Sequence, residues 1–485
     1  MVSRRGLLAG LGSAALVFGF DPVHRRWISE AHADAFDHLP PLDGTIVTDP
    51  ASLAHYAQDA GSIIHNTPIA VLLPGSVSDI QRMVRFCKRH CIKVACRGQG
   101  HTTFGQSQVE GGLVIDMATI NQIHSISTTR VDVGAGATWK QVVTTAVPLG
   151  ATCPVLTGYI NMSIGGTLSV GGISPMNRRG AQVDHVHHLW VVTGEGELEH
   201  CSPHDKKDLF EAVLAGLGQC GVIVRVVMDM IPVLPNARTF LLTYVNDNAF
   251  FFDDFRTLID REEFDGVYMT GGPDGVGGWV QQINAIKYFS GSTPPDPEHL
   301  LRDLNLPPSA ASINDQPYLE QVLAVDVVID FFKSIGLWEG VLHPWYDMWL
   351  PEDDVESFVG DTLDGLTPED VGPTGFLLLF ALKASELTRP LFRVPKHSRY
   401  VWLFDILTAA AAPGPDPEFE ARMLERNRTL FEEARALGGT RYPIGSVEFS
   451  HSDWRRHYGN AWGDFKRAKD RYDPAGILGP GPGIF

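Results

Sequence analysis

Positive charge is scarce in this chain. Its 485 residues carry 39 Lys and Arg against 57 Asp and Glu, a formal balance of −18, so it lacks the basic stripe that nucleic acid or an anionic membrane surface requires. Cysteine is scarce too, at six residues. Cys87, Cys91, Cys96, Cys153, Cys201 and Cys220 are too few for a disulfide framework in a chain this long. Cys87 and Cys91, four apart on a predicted helix, read as two buried thiols, and the spacing fits no zinc motif. No run approaches the ~20 apolar residues that span a bilayer, and there is no internal repeat. Asp184-His185-Val186-His187-His188 mimics a metal cluster, but on a strand His185 and His187 face one way and Asp184 and His188 the other. With no second ligand pair nearby, we reject a metal site.

Apolar residues and glycine are plentiful. Hydrophobic residues make up 44% and charged residues only 20% of the chain, enough to bury a large core and to exclude a disordered chain. The length favours two domains, and the 49 Gly and 32 Pro predict many tight turns. Residues 1–33 read as a twin-arginine export signal: Ser3-Arg4-Arg5, a short apolar run from Gly6 to Phe20, and a small-residue cleavage site at Ala31-His32-Ala33. Removing it leaves about 450 residues.

From Asp34 to about Pro232, strand and helix signals alternate. Capping boxes are predicted at Ser78 to Gln81 and Thr138 to Gln141. Strands are expected at Ile92 to Cys96, Leu113 to Ile115, Arg130 to Val133 and Val222 to Val227, with a hairpin around Val191 to Glu197. Beyond Val233, aromatic helices such as Phe250 to Glu263 alternate with Pro-rich loops. An amphipathic helix runs from Glu418 to Leu437 and is stopped by Gly438-Gly439. The fold class read from this pattern is α+β.

Four glycine motifs stand out. Gly134-Ala135-Gly136 lacks a third glycine and a following acidic residue, so it reads as a strand-to-helix turn rather than a dinucleotide fingerprint. Gly98-Gln99-Gly100 presents a nest of backbone N–H groups fit for a pyrophosphate, with His101 beside it. Gly165-Gly166 and Gly171-Gly172 let a backbone approach a large flat ligand. Gly216-Leu217-Gly218-Gln219-Cys220-Gly221 precedes a strand.

Together with Arg97 to Thr102, Gln106, Ser163 to Ser169, His343-Pro344-Trp345, Ser452-Asp453-Trp454 with His457-Tyr458-Gly459, and Arg471 to Phe485, these motifs resemble FAD-linked oxidases of the vanillyl-alcohol-oxidase type. Within that class they are most similar to cytokinin dehydrogenases, over nearly all of the mature chain. The resemblance implies a two-domain PCMH-type FAD-binding fold. Residues 34–232 and 438–485 would form the FAD domain and 233–437 an inserted α+β substrate domain. It implies FAD bound covalently through His101, with further contacts from Cys96, Gly98, Gln99, Gly100, Thr102, Gln106, Gly158, Ser163, Ser169, Ile173, Val222 and Ile223. Near the C terminus Gly479 and Pro482 stand where the relatives have hydrogen-bonding side chains.

It further implies an oxidoreductase, exported if residues 1–33 are the signal they read as, that takes hydride from a small-molecule substrate and passes electrons to oxygen or a quinone. One departure is pointed: the family's proton-accepting aspartate falls at Gly158, and glycine accepts no proton. Tyr159 and Glu448 are the candidate catalytic replacements, with His187 and His188 behind them. Either another group is the base, leaving a true cytokinin dehydrogenase open, or the substrate differs, or the flavin is bound without turnover. Cys153 reads as a buried thiol rather than a second flavin attachment.

Overall fold

The computed structural model describes residues 39–485 and the backbone of 17–21 and 26–29. The twin-arginine motif and the cleavage site Ala31 to Ala33 lie outside the described residues. Three sheets organise the rest. The first has four strands in the order Thr45–Val47, Ala70–Leu73, Leu113–Asp116, Val94–Arg97. The last three are parallel to one another and read as short unbroken apolar runs, as strands covered on both faces do. The helix Val77–Arg89 closes one face with Ile80, Met83, Val84 and Cys87.

This helix starts earlier than the sequence pattern suggests. Its N-cap is Ser76, not Ser78, and the dominant polar contact is the fully buried Asp79, whose carboxylate accepts from the amides of Asp43, Gly44 and Gly75 at 2.8–2.9 Å. Three amides aimed at one carboxylate outweigh a side-chain capping box. Cys91 is also not a buried thiol: the helix ends at Arg89, and Cys91 lies exposed past the cap, with φ of 54°. The second predicted box is half made: Thr138 accepts from the Gln141 amide at the start of Trp139–Ala146, but the Gln141 side chain donates to the Asn121 carbonyl instead of returning to the cap.

The second sheet is antiparallel, in the order Leu198–Cys201, Val186–Val192, Val222–Asp229, Arg130–Gly134, Ile123–Ile126. Its hairpin is the one expected around Val191. The turn after Arg130–Gly134 explains Gly136: a Cβ there would meet the Met117 carbonyl oxygen at 1.7 Å. The strand starts only at Val186, since Asp184 and His185 close a 3-10 turn, Gln182–His185, so the expected alternation does not extend over the whole run; His185 and His187 both approach Asp229, at 3.6 and 2.7 Å.

The third sheet has eight antiparallel strands: Ser312–Pro317, Asn236–Val245, Trp279–Phe289, Gly266–Pro273, Phe376–Lys383, Tyr400–Leu407, Tyr346–Pro351 and Thr440–Arg441. Strand period 2 splits it cleanly. Phe240, Met269, Leu379, Trp402, Phe404 and Met348 face the helices Asn248–Asp260, Val355–Gly365 and Pro417–Ala436 in an aromatic core. The intervening residues face the other way, partly into a second core with Trp349, Leu382 and Val401 and partly onto a cavity.

The C-terminal tail returns to the first sheet. Leu478 bridges Val94 in parallel, with the Val94 amide donating to Ile477 at 2.8 Å and the Gly479 amide to Val94 at 3.0 Å. Lys469 secures this return. Its ammonium, 6% exposed, reaches Asp473 at 2.7 Å and the carbonyls of Gln219 and Leu478 at 2.9 and 3.0 Å. Asp473 in turn accepts from the Ile477 and Leu478 amides. Removing one member of such a pair strands the other charge in the interior, which costs about 3–5 kcal/mol. Lys469→Ala is therefore expected to lower stability by that order, with the tail released to proteolysis first; denaturant unfolding and limited digestion check it.

Candidate functional site

The glycine loops of the first two sheets and the exposed face of the third enclose a cavity of about 850 Å³. On the loop side, Cys96, Gly98, Gln99, Gly100, His101, Thr102, Gln106, Gly158, Tyr159, Ser163, Ser169, Ile173, Val222 and Ile223 all line it. Gly479 and Pro482 reach it from the tail. Glu448 does not: its side chain is exposed to solvent, and its carbonyl accepts from Arg428. It sits beyond the loop that carries Ile444, where the chain has turned to solvent, so the position that the resemblance suggested does not reach the wall. His187 and His188 are also outside, on Asp229 and against the His200 ring.

The loop fits a flavin dinucleotide. Gly100 has φ of 64°, which turns successive amides to one side. Among the described residues, the Gln99, Gly100 and His101 amides donate to no protein acceptor, as an anion cradle requires. Gly98 lets the two glycine loops close on each other, since a Cβ there would lie 1.9 Å from Ser163 Oγ. Gly158 differs: an added Cβ would meet only a Val325 methyl, at 4.0 Å.

His101 stands in an aromatic cage. Its ring lies 4.9 Å from Tyr159, 5.5 Å from Trp345, and 5.8 Å from Trp338 in a near-parallel stack. Burial, with His343 and Lys333 nearby, holds the imidazole down at about 3. It is neutral at physiological pH, with a nitrogen lone pair free for a flavin. Tyr159 thus packs on His101, with Lys333 Nζ 5.9 Å from its ring centroid. Cys153 also lines the cavity; its Sγ is 3.8 Å from Met230 Sδ, and burial pushes the thiol up to about 12.

Asp59 positions this loop and carries no motif of its own. Its carboxylate accepts from the Gly61 amide at 3.1 Å, Thr102 Oγ1 at 2.9 Å and the Gly105 amide at 2.8 Å. The Ala60 amide donates to the Gly100 carbonyl at 2.9 Å, and His343 Nδ1 meets the Ala60 carbonyl at 2.8 Å. Gln106, expected on the cofactor, also ties the loop to the tail by donating to Ile444 at 3.1 Å.

The floor of the cavity is the free face of the eight-stranded sheet. One end is aromatic and polar: Tyr288 donates to Gln321 at 2.8 Å, Tyr318 pairs with Thr152 at 2.6 Å, and Asn284 donates to Thr270 at 3.1 Å. The helix Ala324–Ser334 closes that end with Val325, Val328 and Ile329. The wall is thus mostly apolar with a few directed polar groups, suited to a small organic molecule lying against a flat ring.

Burial raises Asp59 to about 6, against the hydrogen bonds that lower it. The folded chain therefore holds this proton to higher pH than the unfolded chain does. The sign follows: stability declines as pH rises from about 4 to about 6, because the native state binds more protons there. Asp59→Asn is expected to flatten that decline, and Asp59→Ala to cost about 1–3 kcal/mol per stranded donor; unfolding midpoints at a series of pH values check both.

Comparison with known proteins agrees with this geometry. Residues 68–202 match the FAD binding domain, and residues 285–485 match a family described as cytokinin dehydrogenase 1, FAD and cytokinin binding. The uncharacterized oxidoreductase ORF5 of the fasciation locus of Rhodococcoides fascians is 34% identical over 442 residues, spanning 91% of this chain and 99% of its own length. Cytokinin dehydrogenase 4 of Arabidopsis thaliana is 28% identical, spanning 92% of this chain and 93% of its own. Cytokinin dehydrogenase 10 of Oryza sativa subsp. japonica is 28% identical, spanning 96% and 92%. With its α+β architecture, glycine cradle and sheet-floored cavity, the chain belongs to the cytokinin-dehydrogenase-like family of two-domain, FAD-dependent oxidoreductases.

Proposed function

We propose that the protein is an exported oxidoreductase that oxidises a small organic substrate in this cavity, with FAD attached through His101 and oxygen or a quinone as final acceptor. The observation that carries the attachment is the neutral His101 inside its aromatic cage, on the loop whose free amides face the cavity. FAD supplies a two-electron acceptor for hydride. The chain supplies the rest: Gln99 to His101 hold the pyrophosphate, Ser163 and the glycines beside it admit the flat ring, and the sheet floor orients the substrate. The twin-arginine pattern at Ser3-Arg4-Arg5 supports export.

The substrate class follows from Gly158 and the relatives' names. Those names favour an N6-substituted adenine, and the absence of a carboxylate at Gly158 favours a molecule whose proton leaves to another group. For a protein that binds flavin without turnover, the flavin would stay oxidised against alcohols, amines, sugars and isopentenyladenine alike. On our reading, the yellow colour stays with the acid-precipitated protein, and His101→Ala releases it; colour lost from the unmutated protein would sink the covalent link.

The open space at Gly158 makes a second test direct. Its backbone takes a side chain without a positive φ, and a Cβ has room. Gly158→Asp is expected to speed flavin bleaching by isopentenyladenine about tenfold or more, within the range of general-base effects, if an adenine is the substrate. An unchanged rate, read by stopped-flow absorbance, argues for a different substrate.

A further inference from the structure

Two carboxyl groups face each other on the cavity floor. Asp347 and Asp405 are register partners on adjacent antiparallel strands, are 2% and 3% exposed, and both line the cavity. Side chains directly opposed in this way have Cβ atoms about 5 Å apart. Among the described residues, Asp347 Oδ2 and Asp405 Oδ1 have no hydrogen-bond partner. An apolar pair would pack this position at no electrostatic cost, so the carboxyls are not there for stability.

Their surroundings suit one shared proton. The charged group that faces them is Arg441, stacked over Phe449 and Trp454 at 4.6 and 5.4 Å and donating to the Gly445 carbonyl at 2.7 Å. It makes no ion pair within 4 Å among the described residues, and its positive field acts on Asp347 alone of the two, so it supports one negative charge without neutralising two. Tyr346 and Tyr442 flank the pair, and the Tyr442 hydroxyl is engaged by the Gly172 amide at 3.2 Å. Gly445 makes room for the carboxyl: a Cβ there would lie 2.4 Å from Asp347 Oδ2. Two residues before Asp347 and on the same face, Trp345 edges the His101 ring. The pair therefore lies on the same stretch of floor as the flavin-attachment cage.

Resting on the reading that FAD accepts hydride in this cavity, we infer that Asp347 and Asp405 hold one proton between them and are the base of the oxidation, in place of the carboxylate absent at Gly158. Burial, and for Asp405 the adjacent Asp347, pushes both carboxyls upward, as expected of like charges that cannot both ionise. In the step, the substrate's C–H bond breaks with its electron pair leaving as hydride. The N–H or O–H proton passes to the ionised member of the pair, and a C=N or C=O bond forms. The pair goes from one proton to two. When oxygen or a quinone takes the two electrons, one of its two protons is the pair's.

Photoreduction of the bound flavin by light and EDTA puts the same added negative charge beside the pair without any substrate, and that charge draws the pair's second proton from solvent instead. At pH 8, with an indicator dye, the unmutated holoprotein is expected to take up close to one more proton per flavin than Asp347→Asn/Asp405→Asn. Equal uptake in the two proteins overturns the proposal, even where the substrate is wholly unknown. In the unmutated protein alone, a new protonated-carboxyl infrared band must grow as the flavin is reduced, so a variant that folds poorly does not remove the test; its absence also overturns the proposal. With isopentenyladenine or another compound that bleaches the flavin, the double variant should lose about a hundredfold or more in bleaching rate and the pH dependence between 5 and 9. An unchanged profile counts against the pair, whereas failure of every compound to bleach counts against the functional reading and leaves the proton count to decide.

Discussion

A β-strand sends alternate side chains to opposite faces, and the eight-stranded sheet turns that rule into a functional division. Along Tyr400–Leu407, Trp402, Phe404 and Ile406 enter the aromatic core beneath the helices, while Leu403, Asp405 and Leu407 face the cavity. The neighbouring strands keep the same phase: Tyr346 and Met348 go down, Trp345 and Asp347 up. One face therefore anchors the sheet through close-packed aromatics. The other is divided: Trp349, Leu382 and Val401 pack into a second core, and beside them polar and even ionisable groups face the cavity. A slip of one residue in any strand would exchange the two sets, so the site depends on register.

The opposite wall depends on backbone rather than side chains. Gly98 and Gly136 are needed because loops approach within distances that no Cβ allows, and Gly100 because its φ of 64° is left-handed. The resulting free amides need an external frame, which Asp59, Ala60 and the tail around Ile444 supply. Segments from the start, middle and end of the chain thus meet at one loop. The cavity is bounded by two surfaces built on different principles: a cradle of amides for an anionic cofactor and a pleated floor for a substrate.

Much of this was legible in local sequence. His101 and its flanking glycines form a continuous motif whose chemistry is that of its own backbone, so spacing was enough to single it out. The strand-to-helix turn at Gly134 to Gly136 and the helix after Thr138 are equally local. Glu448 was misplaced because three residues past Gly445 the chain has already left the wall. Asp59 stood unmarked 42 positions before His101, and Asp347 and Asp405 lie 58 positions apart. None of these three sits in a motif, since each acts on a partner that only a crossing loop or an adjacent strand provides. A buried carboxyl on a strand leaves one trace in sequence, an acidic residue interrupting an apolar run, as in Tyr346-Asp347-Met348 and Phe404-Asp405-Ile406.

By itself, then, the sequence determined the class of chemistry: its glycine loops fit a pyrophosphate, and the ordered set of motifs around His101 resembles that of FAD-linked oxidoreductases. Local chemistry is carried by residues adjacent in the chain, and adjacency is what a sequence records. Only the tertiary structure decided which carboxyls share the cavity with that cofactor. Pairing Asp347 with Asp405, and removing both from water, requires strand register and burial, and these exist only once distant segments have packed.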